Sequence, residues 1–110
     1  MANEVILRRW TGRIRSADEQ AYIRYIEGTG LAEYRATPGN LGCQMLMRAL
    51  DGGVTEVSTL SWWRSMDAVR AFAGPDAEIP VYYPEDDRFL LERTDRVEHH
   101  RVVAGSGTTA

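Results

Sequence analysis

An internal disulfide is closed to this chain, because Cys43 is its one cysteine. Its neighbours Gly42, Gln44 and Met45 give no metal-ligand spacing, so a reduced thiol in the cytoplasm is expected. No apolar run reaches the ~18 residues of a membrane span. The start, from Met1 to Glu4, leads into a β-like pattern without an apolar signal core, and neither secretion nor membrane insertion is expected. A net charge of -3 supplies no basic field for a nucleic-acid backbone. No glycine-rich phosphate loop or dinucleotide fingerprint is present, and neither a cofactor nor a metal is expected.

What the 110 residues do contain is 44% hydrophobic and 26% charged, a balance that folds as one domain. Residues 5–14 are rich in β-formers, with Ile6, Arg8, Trp10, Gly12 and Ile14 on one parity. Ser16 and Glu19 have capping-box spacing, and Tyr22, Ile23, Tyr25 and Ile26 form the apolar stripe of a helix. Gly28 and Gly30 should break that helix in two. Thr37-Pro38-Gly39-Asn40 reads as a type II turn, followed by a strand over 42–49. Asp51-Gly52-Gly53 then links it to a strand over 54–63 as a hairpin. Ser65 caps a short helix carrying Met66, Val69 and Phe72, which Gly74-Pro75 stops. Pro80 and Pro84 break residues 76–89 into a turn or two of helix and a loop. Residues 97–104 form the last strand, and 105–110 a flexible tail.

The order βαββαβ with right-handed crossovers predicts an α+β, ferredoxin-like domain over residues 1–104. Four antiparallel strands carry both helices on one face and leave the other bare. Leu60 and Trp62 lie on the opposite parity to Ser61 and Trp63, so both faces of the third strand are apolar. A second copy packed face to face would cover the bare side, giving a homodimeric α+β barrel.

The run Thr59-Leu60-Ser61-Trp62-Trp63-Arg64-Ser65, continuing to Ala71-Phe72, resembles the strand-to-helix signature of the antibiotic biosynthesis monooxygenase-like family of dimeric α+β barrels. Tyr34-Arg35-Ala36-Thr37-Pro38-Gly39-Asn40 resembles the turn that precedes its second strand. The resemblance implies a small-molecule cavity on a scaffold that hosts cofactor-free oxygenation of phenols to quinones, haem breakdown, lactone isomerisation and polyketide cyclisation. Haem breakdown is disfavoured. Trp63 matches that branch's cavity Trp, but Trp10 stands about where its strand-one Asn would be, and no His follows Phe72 in the second-helix region.

Several residues carry both a functional and a structural reading. Trp63, which shares a parity with Ser61, Thr59 and Val57, either walls a substrate cavity or simply packs at a strand end. Trp10 and Arg8 share a face, where Arg8 either stabilises a phenolate or enolate or remains a solvated edge charge. Tyr82 and Tyr83, beside Glu85, Asp86 and Asp87, form either a lid bringing a phenol and one buried carboxylate to substrate or a solvated, anchored loop. His99 and His100 face opposite ways, so at most one enters the cavity, as a base or as an interface residue. Cys43 lacks the partners of a nucleophile.

The leading expectation is a cofactor-independent monooxygenase-like enzyme acting on a hydrophobic aromatic or polyketide-like small molecule. Tyr83 or His99 handles a proton, and Trp63, Trp10, Arg8, Tyr82 and Ser61 bind substrate. A cyclase or isomerase on the same scaffold, or a non-catalytic dimeric binding protein, is the alternative.

Overall fold

The computed structural model describes residues 4–106. β1 (Val5–Arg15), α1 (Glu19–Gly28), α2 (Gly30–Ala36), β2 (Asn40–Ala49), β3 (Val54–Trp63) and α3 (Met66–Ala73) follow in chain order. A long connection then leads to α4 (Asp86–Phe89), β4 (Leu90–Arg93) and β5 (Glu98–Val102). The antiparallel sheet runs β2-β3-β1, with β4 and β5 both on the free edge of β1. This is the ferredoxin-like arrangement, with helices on one face.

The predicted turns hold by identifiable contacts. Gly39 has φ 94° and Asn40 N–H donates to Thr37 O at 3.1 Å, the closure of a type II turn. A side chain at Gly39 would also press its Cβ to 2.5 Å from Ala68 Cβ of α3, so glycine serves both geometry and packing. The 51–53 link pairs Ala49 with Thr55, and Leu50 N–H donates to Val54 O at 2.8 Å. Ser65 Oγ accepts from Ala68 N–H at 3.1 Å and caps α3.

Two expectations are corrected. The fourth strand is two short strands rather than one over 97–104. β4 pairs Arg93 with Gly12 and β5 pairs Glu98 with Arg9, so the chain between them carries two more residues than a continuous ladder would need. The excess turns Val97 into the core, where its N–H donates to Glu78 O at 2.8 Å. The capping box is also replaced. Ser16 Oγ bonds Thr55 Oγ1 at 2.8 Å, and Thr55 donates to Glu19 Oε2 at 2.6 Å. A fully buried hydroxyl on β3 takes both groups from the helix end. The expected tail starts at Gly105, and its residues 107–110 lie outside the described structure.

Strand parity places Ile6, Arg8, Trp10 and Ile14 of β1 and Val57, Thr59, Ser61 and Trp63 of β3 beneath the helices. Tyr22, Ile26, Leu31, Tyr34, Val69, Phe89 and Val97 cover them. Across the sheet, Leu7, Leu46, Leu60 and Trp62 remain partly or largely open. Among the described residues, no helix is long and apolar enough to cross a membrane.

Candidate functional site

A cavity of about 40 Å³ lies between the sheet and its helical cover. Arg8, Trp10 and Thr59 rise from the strands, and Tyr22, Ile26, Gly30 and Tyr34 descend from α1 and α2. Phe72 of α3, Val97, and Pro80, Val81, Tyr82, Tyr83 and Asp86 of the long connection complete the wall. Alternation delivers the strand residues here. It also requires Gly12, because a Cβ there would lie 2.7 Å from the Trp10 ring.

Arg8 is 2% exposed, so the solvated-edge reading is overturned. Its Nη1 donates to Ala77 O at 2.6 Å and to His99 Nε2 at 2.9 Å, and its carbon centre lies 5.6 Å from the Phe72 ring centroid. Nε is buried without a partner, and no carboxylate among the described residues forms an ion pair with Arg8. A buried cation without a counter-ion is costly, and a guanidinium so placed is able to accept a negative charge beside it. Burial pulls its own pKa down, a tendency opposed by Tyr34.

Trp10 Nε1–H donates to Tyr82 Oη at 3.2 Å, and that hydroxyl donates onward to Thr94 O at 3.1 Å. Arg93 lies over the outer Tyr82 ring at 4.7 Å. Tyr82 thus pins the connection over the cavity. The Tyr83 hydroxyl is buried without a partner, and burial, reinforced by the Glu33 carboxylate, pushes its pKa upward. A phenol so perturbed stays protonated at neutral pH and is able to donate a hydrogen bond.

Trp63 and Ser61 do not reach the cavity. Trp63 is fully buried, donates from Nε1 to Ser61 Oγ at 2.8 Å, and meets Tyr34 and Phe72 with centroids 6.0 and 5.7 Å away. It stands behind the wall and supports it. His99 also lies behind the lining, against Arg8, while His100 turns away and meets Glu98. Arginine has no acceptor, so the contact fixes His99 Nε2 as an acceptor and its ring as neutral; burial and the Arg8 charge lower its pKa.

Thr59 lines the cavity as its strand parity predicted, whereas the sequence reading had not placed Tyr22, Tyr34 or Phe72 there. Tyr34 and Thr59 share a 3.1 Å hydrogen bond. Asp86, 4% exposed, is the buried member of the acidic run. Its Oδ2 accepts Tyr83 N–H at 2.6 Å, a contact that the i, i+3 spacing from Tyr83 could have suggested.

No family model matches the chain, and no curated protein matches it. Solved structures do. A candidate antibiotic biosynthesis monooxygenase from Bacillus cereus superposes with a TM-score of 0.68 at 12% identity, covering 96% of this chain and 99% of its own. A dimeric ferredoxin-like protein from an uncultured marine organism gives 0.60 at 16%, covering 94% and 99%. SnoaB, a cofactor-independent oxygenase from Streptomyces nogalater, gives 0.50 at 22%, covering 96% and 97%. At these identities the likeness is one of fold.

Proposed function

We propose that this protein is a cofactor-independent monooxygenase-like enzyme acting on a hydrophobic aromatic or polyketide-like small molecule. The observation that carries this reading is Arg8, a buried cation without a carboxylate partner, set in a cavity that six aromatic side chains help to line. Such a site favours a flat ligand in its phenolate or enolate form. That electron-rich anion is the species that reacts with oxygen without a metal or flavin. The names given to the Bacillus cereus protein and SnoaB, which share the fold, agree with this chemistry.

In the reading, Trp10, Phe72 and Tyr34 sandwich the ligand, Arg8 holds its oxyanion, and neutral Tyr83 donates a hydrogen bond or proton. His99 acts through Arg8. Tyr82 fastens the covering segment, while Trp63 and Ser61 hold the wall from behind. Conversion of an activated methylene to a carbonyl balances simply. Two C–H bonds break, one atom of O₂ becomes the carbonyl oxygen, and the other leaves in water. The present cavity is far below the ~300 Å³ at which pockets begin to take drug-sized ligands. Binding therefore requires the segment carrying Tyr82 to swing away, breaking its contacts with Trp10 and Thr94.

Metal-stripped protein mixed with phenols and anthrones should consume oxygen and yield products of higher mass. Product formed without oxygen uptake would replace this reading with cyclisation or isomerisation. Saturable binding without turnover would leave a binding protein.

The same reading includes a homodimer, in which the open Leu7, Leu46, Leu60 and Trp62 face packs on its equivalent. Sedimentation at micromolar concentration should show a species of twice the 12.4 kDa chain mass. A 12.4 kDa species alone would remove the dimer.

A further inference from the structure

Deprotonation at the cavity needs a group able to receive the proton, and most of the titratable side chains present cannot. Burial pushes the Tyr22 phenol up and the Asp86 charge adds to the rise. Tyr25, beside the lining, follows through burial, the Asp86 charge and a hydrogen bond to that carboxylate, to about 12. Tyr83 is likewise held protonated, and His99 is turned toward Arg8 behind the lining. Asp86 remains. It is the one carboxylate among the cavity-lining residues; its Oδ2 accepts Tyr83 N–H, and the Tyr25 hydroxyl lies against the same carboxylate.

We propose that Asp86 is the general base of this site, removing a proton from an acidic C–H of a bound anthrone or 1,3-dicarbonyl ligand. Asp86 sits on the segment that closes the cavity and Arg8 on the sheet beneath, so base and anion receptor come from different layers. The C–H bond breaks and its proton passes to the Asp86 carboxylate. The electron pair stays on the ligand, delocalised onto the oxygen that Arg8 holds. No oxidant enters this step. The inference rests on the proposed function only in requiring that such a ligand occupies the cavity.

Without oxygen, the step is visible as deuterium wash-in from D₂O to the methylene of anthrone. The intact protein should accelerate exchange over buffer. Asp86→Asn keeps an acceptor for Tyr83 N–H but no base, and should lower the protein-catalysed rate at least about 100-fold with Tm held within a few degrees. Asp86→Glu should retain more exchange than Asp86→Asn, and Glu85→Gln, at an exposed neighbouring acid, should match the parent. Undiminished exchange in Asp86→Asn, or equal loss in folded Asp86→Asn and Asp86→Glu, overturns the role of Asp86 and leaves the proposed function standing. Parental exchange without oxygen uptake in air keeps Asp86 as base and removes the oxygenase reading. No acceleration by the parent protein overturns both.

Discussion

Trp63→Ala is expected to lower stability by about 3–5 kcal/mol, a Tm loss on the order of 15 °C. The residue is fully buried, and truncation opens a void between β3 and the Tyr34 and Phe72 rings. It also leaves Ser61 Oγ without its indole donor, in a place water does not reach. The cavity wall would lose its support, so Tyr34 and Phe72 should loosen together. Trp63→Phe separates the two contributions. It retains most of the ring contact and loses the hydrogen bond, and should cost about 1–3 kcal/mol. Thermal and urea denaturation measure both. If Trp63→Ala melted within a few degrees of the parent, the supporting role would be wrong and the indole would belong to the ligand site instead.

Trp63 also marks how far sequence reasoning reaches. Period-two alternation correctly put it with Ser61, Thr59 and Val57 on the helix side, because the pleat leaves no other choice. Alternation says nothing of depth along the strand. Trp63 lies at the strand end under α3, while Thr59, two turns of the pleat away, reaches the cavity. The turn at Gly39 and the hairpin after Ala49 were legible because local φ preferences decide them. The Ser16 cap and the single last strand were not, because long-range partners decide those. Thr55 captures Ser16 and Glu19, and Glu78 O draws Val97 N–H inward. The same limit applies to the acidic run. Glu85, Asp86 and Asp87 are nearly indistinguishable in sequence, and only the path of the connection buries Asp86 while its neighbours stay exposed.

Arg8→Met is expected to abolish binding of phenolate or enolate ligands, a loss of at least about 100-fold in affinity, while Tm stays level or rises. The two halves of this expectation have one cause. In the parent, folding buries a cation with no carboxylate partner and an Nε–H with no acceptor. Methionine fills similar space against Phe72 without that desolvation cost. Against the gain stands Ala77 O, which loses its 2.6 Å donor, a penalty of about 1–3 kcal/mol if nothing replaces it. Removing a buried charge is worth a comparable amount, so the balance should be near zero or favourable. A structural residue behaves otherwise, since its replacement lowers stability and perturbs function only through the fold. Calorimetric titration with 1-naphtholate, paired with a melt of each protein, reads both quantities. Weak binding with an unchanged or higher Tm would identify Arg8 as a group kept in the core at the fold's expense for its charge. A melt lowered by 10 °C or more would make Arg8 a brace for the segment carrying Ala77, and the anion site would have to be sought elsewhere.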